Sequence, residues 1–483
     1  MTPGLRNFIA AVAAFSALSF VAVQTPGQQQ EQISAGDFDF GDQIVPTESA
    51  GPLSPTGPAP TGGPTDGPAP TAGPATSKFQ CAAGRNGGRT DKGVSANEIK
   101  VAATHVQSGL GSSFLGSSNI GMRAVVSSVN SSGGICGRQI RLTLVDDGWD
   151  AARGSQYIRN FINDDYFALP VVPSSEGLTA AIRNGTIDRA GIPVIGTDGM
   201  LKDQYQSPWV WPVATATVST MRAMAFHAYN KLGARNFGIV YDNQYKFGVE
   251  GATAFRDYVS SLPGAKVSAY VGIQPGQPSY TETTQFNSKC GASKRCDFVA
   301  MLLEPGTATS WINSQGVDEQ DKKLGFGTKG TGGAQPLFNE NFARDCGAPC
   351  SGMMLWTGYN PPIGALRNQP GIARYLSQVR AIDPGVDVNN QFLQGAYLGM
   401  QVFVKALEDV GAELTRARLR AAMDSMTYAT DLASSLTWKA GRHYANTSAR
   451  AFLVVTASGG FSGFRDAGTG FVPDPKPGVF PKG

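Results

Sequence analysis

The chain has 483 residues, a length that suits two or three domains better than one. Its 40 basic and 37 acidic residues leave a net charge of only +3. This balance excludes a nucleic-acid-binding protein that works by bulk electrostatic attraction, since such a protein carries a clustered basic excess. The chain has three histidines, His105, His227 and His443, which lie far apart in the sequence. The sequence therefore gives little support for catalysis by histidine.

The first 23 residues have the pattern of a targeting segment. Arg6 precedes an uncharged, apolar run over residues 8–23, and such an arrangement is typical of a secretory signal. The run falls short of the roughly 20 residues that span a bilayer. Because residues 17–19 make a weak cleavage site and no cysteine follows directly for lipid attachment, an uncleaved N-terminal anchor stays open beside a cleaved signal peptide. Both interpretations predict an exported chain, either secreted or tethered to the outer face of the cytoplasmic membrane.

Residues 24–80 are predicted to form a disordered linker rich in proline, glycine and threonine. The ten residues 57–66 are nearly repeated at 67–76. Such sequence buries too little apolar surface to offset the entropy lost on ordering, and its prolines favour extended polyproline II structure. We interpret this stretch as a spacer between the targeting segment and a globular head.

Six cysteines, an even number in an exported chain, favour disulfides. Proximity in the sequence predicts the pairs Cys290–Cys296 and Cys346–Cys350, which leaves Cys81 to pair with Cys136. The alternative is a metal site built from the last four cysteines, but their spacing does not match the close pairs of structural zinc sites. We therefore expect three disulfides and no metal.

From about residue 98, short apolar runs alternate with amphipathic stretches of helical period. The predicted strands of a first series are 99–106, 138–147, 166–174 and 192–198, and those of a second series are 236–243, 266–273, 296–305, 323–330 and 352–359. The predicted helices between them are 119–134, 151–165, 220–233 and 249–264. Apolar strands joined by crossover helices indicate parallel sheets covered on both faces. The two series predict an α/β fold with two doubly wound, Rossmann-like lobes.

The last part of the chain contains its strongest helical pattern, at residues 391–411, followed by a second helix at 415–426. Residues 434–441 and 449–458 alternate well enough to predict an antiparallel pair of strands. We interpret residues 461–483 as a C-terminal tail.

Candidate ligand-binding residues follow from the positions of the predicted strands. Open parallel sheets bind ligands outside the carboxyl ends of their strands, where the strand order reverses. Hydroxyl groups and backbone amides are frequent there, and such donors suit a carboxylate at a helix N-terminus. The candidates are Ser108, Ser174, Ser175, Thr197, Asp198, Phe247, Glu304, Thr328 and Lys329. For each serine and threonine, simple capping of a helix is the alternative.

No motif supports a cofactor. Residues 109–114 resemble a dinucleotide-binding fingerprint, but Phe114 replaces its third glycine, and residues 325–330 fit the same pattern without a helix to follow. Asp146 and Asp147 end a predicted strand, where adjacent side chains point to opposite faces, so capping of the turn is favoured over a joint metal-binding or catalytic role. An enzyme is therefore the least favoured class.

Several blocks of residues together resemble a known family. They are Ser108-Gly109 after the first strand, the glycine-rich block 130–138, Asp146-Asp147, the stretches 171–182, 189–197 and 231–243, and the helix 395–411. As an ensemble, residues 97 to 460 resemble type I periplasmic binding proteins of the leucine/isoleucine/valine-binding class, the substrate-binding proteins of branched-chain amino acid ABC transporters.

The resemblance implies two similar lobes joined by three crossover strands that act as a hinge, with the ligand in the cleft between the lobes. Lobe 1 would comprise residues 97–216 and about 355–432, and lobe 2 residues 217–354 and about 433–460. The family's carboxylate contacts map to Ser175 and to the loop 197–200, and its second-lobe aromatic residue maps to Phe247, with Tyr245 two residues away.

This sequence differs from the family's pattern at the acidic residue that binds the ligand's ammonium group in the family. It should lie near Thr328, where Thr328 and Lys329 stand instead. Asp198 and Glu304 are the acids that would substitute for it, whereas Lys329 in the cleft would favour an anion. The resemblance implies no chemistry and no cofactor.

The expected function is that of an exported solute-binding protein. It would capture a small polar ligand, such as an amino acid, amide or carboxylate, and deliver it to an ABC permease. The alternative is an extracellular sensing head that signals through a membrane partner, with the N-terminal anchor and the linker as its tether.

Overall fold

The computed structural model describes Cys81, residues 86–291 and residues 293–481. The predicted signal peptide or anchor at 1–23 and the predicted linker at 24–80 lie outside the described residues. No helix within the described ranges is both long and apolar enough to cross a membrane.

The first lobe is built on five parallel strands. They are β1 (Glu98–His105), β2 (Gln139–Asp146), β3 (Leu169–Pro170), β4 (Val194–Ile195) and β5 (Val210–Trp211). Strand β1 pairs with β2, strands β3, β4 and β5 pair in turn, and a parallel bridge from Val101 to Ala168 joins the two sets. The order is therefore β2-β1-β3-β4-β5. Its helices are α1 (Ser112–Leu115), α2 (Ser118–Ser131), α3 (Ala151–Asn163), α4 (Ser175–Arg183) and α5 (Thr186–Ala190).

The second lobe repeats this order. Its parallel strands are β6 (Asn236–Asp242), β7 (Lys266–Ile273), β8 (Phe298–Leu302), β9 (Gly330–Gly333) and β10 (Met354–Thr357), in the order β7-β6-β8-β9-β10. Its helices are α6 (Thr217–Asn230), α7 (Lys246–Ser260), α8 (Glu282–Lys289), α9 (Pro305–Asn313) and α10 (Glu340–Cys346). In both sheets the strand order reverses beside the first strand, at β1/β3 and at β6/β8, and these are the positions where doubly wound folds bind ligands.

After β10 the chain returns to the first lobe through α11 (Pro370–Ile382), α12 (Gln391–Val410), α13 (Arg416–Met423) and the short strands β11 (Thr427–Tyr428) and β12 (Leu436–Thr437). Helix α12 is apolar on nearly every side and packs against α2. The side chain of Asn390 caps it by accepting hydrogen bonds from the backbone N–H groups of Phe392 and Leu393.

Three chain segments cross between the lobes and lie side by side. The first contains Thr215, the second contains Tyr359, and the third includes residues 433–446. The first and third are joined by a parallel bridge between Thr215 and Asn446, and the second and third by an antiparallel bridge between Tyr359 and Ala433. Strand β10 belongs to the second sheet, so the chain returns to the first lobe after Thr357.

Three sequence predictions differ from the structure. The strand predicted at 323–330 is wrong, because the strand of this region is β9 (Gly330–Gly333). Its sequence, Gly-Thr-Gly-Gly, has almost no side chains and therefore no apolar pattern. Bare backbone is needed here because a Cβ atom on Gly332 would lie 2.6 Å from the sulfur atom of Met224.

The predicted antiparallel pair of 434–441 with 449–458 is also wrong. Strand β12 pairs with β11, and β13 (Ser448–Ala457) pairs with β10 and with β14 (Gly460–Asp466), antiparallel in each case. The region 461–483 is not a tail as far as the structure describes it. It contributes most of β14 and all of β15 (Val472–Pro473), which pairs with the start of β13.

The three disulfides pair as predicted: Cys81–Cys136, Cys290–Cys296 and Cys346–Cys350. The first fixes the start of the head to the first lobe, and the other two close short loops in the second lobe. None of the described cysteines is free.

Replacement of Gly399 by alanine tests the closest packing in the first lobe. Helix α12 meets strand β4 backbone to backbone, and a Cβ atom on Gly399 would lie 2.9 Å from the Cα atom of Gly196. We expect Gly399→Ala to lower the free energy of unfolding by about 1–3 kcal/mol, because the two elements must move apart. Urea unfolding measures the change. Gly316→Ala is the control, since its Cβ atom would meet nothing closer than 3.9 Å; equal losses in both variants would contradict the interpretation.

Candidate functional site

Aromatic side chains from both lobes meet at the carboxyl ends of the two sheets. Trp149, directly after β2, stacks on Tyr245, directly before α7, with ring centroids 4.2 Å apart and planes 22° from parallel. The ring centroid of Phe247 lies 5.9 Å from that of Trp149, and the ring of Phe114 meets Trp149 edge-on with a centroid distance of 5.4 Å. Trp149 is only 4 % exposed. The lobes therefore touch through these rings, and the cleft between them is closed.

Ser174 and Ser175 lie at the start of α4, in the first-lobe switch point. Both are buried, and Ser174, the residue before the helix, makes no capping hydrogen bond with its side chain. The Ser175 hydroxyl lies 3.5 Å from the indole nitrogen of Trp149 and 3.6 Å from the sulfur atom of Met200. Simple helix capping does not explain Ser174, and Ser175 faces the cleft but is covered by protein side chains.

The loop after β4 holds Thr197 and Asp198. The Thr197 hydroxyl donates to the side-chain oxygen of Gln204 at 2.5 Å, so Thr197 is used to hold the loop. One carboxylate oxygen of Asp198 accepts from the Gln204 side-chain amide at 2.9 Å and from the backbone N–H of Met200 at 3.3 Å. The other oxygen is buried and has no hydrogen-bond partner. Burial raises the pKa of Asp198 to about 7.

Asp198 faces a narrow pocket beside the hinge, which we call the hinge pocket. Its polar lining residues are Ser118, Asp198, Thr215, Gln335, Tyr359 and Gln391, and its apolar ones include Val171, Phe392 and Ala396. In the closed arrangement it has room for about one water molecule. The Ser118 hydroxyl and the side-chain oxygens of Gln335 and Gln391 are buried without partners, like Asp198. Because buried polar atoms are nearly always hydrogen-bonded, four such oxygens without a protein partner make the hinge pocket the candidate site of this molecule.

Glu304 caps a helix, whereas the sequence makes it a candidate for the acid that would bind the ligand's ammonium group. It is buried at the N-cap of α9 and accepts hydrogen bonds from the backbone N–H groups of Gly306, at 2.7 Å, and Thr307. The switch point of the second lobe also holds Asp242, which accepts from the backbone N–H of Glu304 at 3.0 Å and whose pKa burial raises. Both oxygens of Glu304 are therefore used to cap the helix, whereas Asp198 and Asp242 each keep one buried oxygen without a hydrogen-bond partner. Of these two acids, only Asp198 lines the hinge pocket described above.

Thr328 and Lys329 are not brought together with the other candidates. Both are exposed and precede β9, so they lie at the amino end of the sheet, whereas the cleft lies at its carboxyl end. The ammonium group of Lys329 lies 3.5 Å from the Asp297 carboxylate and donates to the carbonyl oxygen of Gly233. The misplaced strand is the cause of this difference. The pocket-lining residue at the carboxyl end of β9 is Gln335, two positions after Gly333, and not Thr328.

Ser108 is exposed, beside the turn that Asp146 caps. It lies next to Gly109, which lines a second and wider opening of about 490 Å³ between the loop 109–113 and residues 304–310 and 339–345 of the second lobe. We interpret this opening as the outer mouth of the cleft.

Sequence reasoning missed six residues of the site: Ser118, Trp149, Thr215, Gln335, Tyr359 and Gln391. Gln335 was hidden by the misplaced strand, and Tyr359 and Gln391 lie on the returning part of the chain, far from any predicted strand end. Trp149 carries a signal that was available, because it directly follows the second strand and the Asp146-Asp147 turn. No group of three or more metal-binding side chains occurs among the residues that the structure describes.

Comparison with known proteins agrees with this architecture. The family model described as periplasmic binding protein matches residues 98–460. The chain belongs to the periplasmic binding protein family. A search among curated proteins found no significant match. Family membership confirms an extracytoplasmic, non-enzymatic ligand-binding protein with the expected two-lobe fold.

Solved structures show the same fold at low sequence identity. A fatty acid ABC transporter substrate-binding protein from Thermomonospora curvata superposes with a TM-score of 0.65 at 19% identity, covering 81% of this chain and 96% of that one. The substrate-binding protein LivJ of Streptococcus pneumoniae, a branched-chain amino acid transporter protein in complex with isoleucine, gives 0.63 at 17%, covering 77% and 99%. A solute-binding protein from Rhodopseudomonas palustris in complex with p-hydroxybenzoic acid gives 0.65 at 16%, covering 78% and 98%.

The pKa of Asp198 predicts a pH dependence of stability. An unfolded Asp loses its proton near pH 4, whereas Asp198 in the folded protein keeps it to about pH 7. The folded state therefore binds one proton more across this window, and this contribution to stability is lost as the pH rises from about 4 to 7. We expect Asp198→Asn to be more stable than the wild type by about 1–3 kcal/mol at pH 8, with the difference shrinking toward pH 4.

Urea unfolding of both proteins between pH 4 and pH 8 measures this difference. Asp147 and Asp387, whose pKa values burial also raises to about 6, are present in both proteins and cancel in the comparison. A stability difference that stays constant over the whole range would contradict the assignment of a raised pKa to Asp198.

Proposed function

We propose that this protein captures a small polar solute in the hinge pocket between its lobes and delivers it to an ABC permease. The observation that carries the proposal is the set of four buried acceptors without partners: Ser118, Asp198, Gln335 and Gln391. Such groups lower the stability of the empty protein, since each buried polar atom without a partner costs free energy. A ligand that donates hydrogen bonds would recover this free energy on binding.

The acceptor set favours a ligand with an amine, amide or hydroxyl group. The side-chain amide of Gln335 donates to the carbonyl oxygen of Thr215 at 2.5 Å, which turns its oxygen toward the pocket. Asp198 is the only acid among the residues that line the hinge pocket, and a protonated amine would hold it in its charged form. Among the three expected ligand classes, amino acids and amides meet this requirement, and a carboxylate without a donor group does not.

The N-terminus of α4 supports an amino acid within that class. Ser175 presents its hydroxyl beside Asp198, and a helix N-terminus stabilises negative charge. An α-amino acid would then place its ammonium group on Asp198 and its carboxylate toward Ser175. The solved relatives in complex with isoleucine and with p-hydroxybenzoic acid have ligands of comparable size.

Binding requires the lobes to open first. The hinge pocket holds about one water molecule, and Trp149 and Met200 cover Ser175. Separation of Trp149 from Tyr245 would uncover both, and the three crossing segments provide the hinge. The ligand then closes the lobes because its contacts with both of them exist only in the closed state.

A thermal-shift screen of the purified protein against amino acids, amides, polyamines, sugars and simple carboxylates tests the proposal. A ligand that binds only the folded state stabilises it by about 2.7 kcal/mol at a hundredfold excess over Kd. We expect stabilisation by compounds with a donor group. Stabilisation by simple carboxylates alone would contradict the acceptor assignment.

For a compound found in this way, calorimetric titration of variants tests the residues. We expect Asp198→Asn to weaken binding about 10- to 100-fold, since it removes a charge-assisted hydrogen bond. Thr328→Ala is the matched control, because Thr328 is exposed at the opposite edge of the sheet, and we expect it to bind like the wild type. Equal affinities of the wild type and Asp198→Asn would overturn the assignment of Asp198.

A further inference from the structure

The last described residues run from the second lobe to the first. Strand β15 (Val472–Pro473) pairs with Ser448 and Ala449 of the second sheet. Residues 474–481 continue from it, and Phe480 and Pro481 contact the first lobe. We infer that residues 474–481, here called the C-terminal strap, hold the two lobes in the closed arrangement and so regulate access to the cleft.

The strap has a firm anchor in the second lobe. Arg222 of α6 donates to both carboxylate oxygens of Asp474, at 2.8 and 2.6 Å, and the Ser219 hydroxyl donates to the same group at 2.6 Å. The side chains of Arg222 and Asp474 are 4 % and 0 % exposed. A buried, bidentate pair of this kind fixes geometry well. Arg222 also donates to the carbonyl oxygen of Lys476 at 3.0 Å, which sets the direction of the strap.

A tight turn then brings the strap beside the hinge. Gly478 has a φ of +75° and lies against the ring of Tyr444, which belongs to the third crossing segment. A Cβ atom on Gly478 would lie 2.5 Å from this ring, so glycine is required both for the turn and for the close approach.

The strap ends on the loop region that carries Asp198. The ring of Phe480 stacks on Tyr205 of the first lobe, with centroids 5.5 Å apart and planes 29° from parallel, and the Lys202 ammonium donates to the carbonyl oxygen of Pro481 at 3.4 Å. The Tyr205 hydroxyl lies 2.8 Å from the carbonyl oxygen of Gly199 and 3.1 Å from that of Ala214. Gly199 follows Asp198 directly, so Phe480 packs on the residue that holds the ligand loop in place.

These contacts make the strap a fourth connection between the lobes, beside the three crossing segments. It is non-covalent at its first-lobe end, so it can be released when the lobes separate. Because the anchored end stays on α6, opening of the cleft must break the Phe480–Tyr205 contact or bend residues 475–479. The strap thus favours the closed state, by an amount of the size of one partly buried aromatic contact and one hydrogen bond.

The indole of Trp149 provides the readout of this equilibrium. One side of it is covered by Tyr245 and Phe247 of the other lobe, so an open cleft exposes that side to the quencher acrylamide. Trp211, Trp311, Trp356 and Trp438 are fully buried within their lobes. The same measurement on a Trp149→Phe background gives the signal of the other tryptophans, including half-buried Trp209, for subtraction.

The experiment compares Phe480→Ala and a chain that ends after Lys476 with the wild type, all without ligand. We expect both changes to raise the open-to-closed ratio about three- to tenfold, seen as stronger quenching of Trp149 and a larger radius of gyration in small-angle X-ray scattering. Val479→Ala is the matched control in the same segment, since Val479 is 54 % exposed, and we expect it to behave like the wild type.

Unchanged quenching in the shortened chain would overturn the inference, as would an equal rise in Val479→Ala. Lys202→Met, which removes the hydrogen bond to Pro481 and the positive charge beside Glu250, is a second variant with a smaller expected rise, and cooperative thermal unfolding checks that each variant is folded. The inference rests on the proposed function, since a closing strap matters for a cleft that admits a ligand. A ligand screen without a hit would contradict the proposed function, whereas unchanged quenching would contradict the strap. Because quenching is measured without ligand, the two outcomes are distinguishable.

Discussion

The stacking of Trp149 on Tyr245 is the contact on which the arrangement of this molecule depends. Each sheet ends in loops and helix N-termini whose polar groups are incompletely paired, and the two rings bring these ends together. An aromatic pair of this kind contributes about 0.5–1.5 kcal/mol beyond the area that it buries. A contact of this size holds two lobes together without locking them, and a solute-binding protein has to open and close.

Three buried carboxylates lie near the ends of the strands in the closed cleft. Asp147 and Asp198 follow strands of the first sheet and Asp242 ends a strand of the second, and burial raises the pKa of all three. Asp147 and Asp242 cap local backbone, since they accept from the N–H groups of Trp149 and Glu304. Asp198 differs because its second oxygen faces the hinge pocket. A buried oxygen without a partner costs folding free energy, and this cost agrees with the role in ligand binding that we propose for Asp198.

Two carboxylates that accept hydrogen bonds from backbone N–H groups of the opposite lobe add to the closure. The Glu176 carboxylate of the first lobe accepts from the backbone N–H of Lys246 in the second at 3.3 Å, and Glu250 of the second lobe accepts from the backbone N–H of Lys202 in the first at 2.9 Å. Lys202 also reaches the C-terminal strap, so one short first-lobe segment contacts both α7 and the end of the chain. This segment, the 3₁₀ turn Lys202–Tyr205, directly follows the loop that carries Asp198.

The sequence by itself determined the two-lobe α/β fold, the strands β1, β2, β6, β7 and β8, the long helix at Gln391 and the three disulfides. The fold and its elements depend on local apolar patterns, which can be read without knowing what packs where. Two of the disulfides join cysteines six and four positions apart, and the third joins the two cysteines that then remain. It also led to Ser175 and Asp198, because residues that follow parallel strands reach the ligand side of the sheet. Only the tertiary structure decided that β9 is a glycine strand and that Glu304 caps a helix. It also brought Gln335, Gln391 and Tyr359 together with Asp198 at one pocket. The physical reason is that a bare-backbone strand has no side-chain pattern, and that residues more than a hundred positions apart become neighbours only when three crossing segments bring the lobes together.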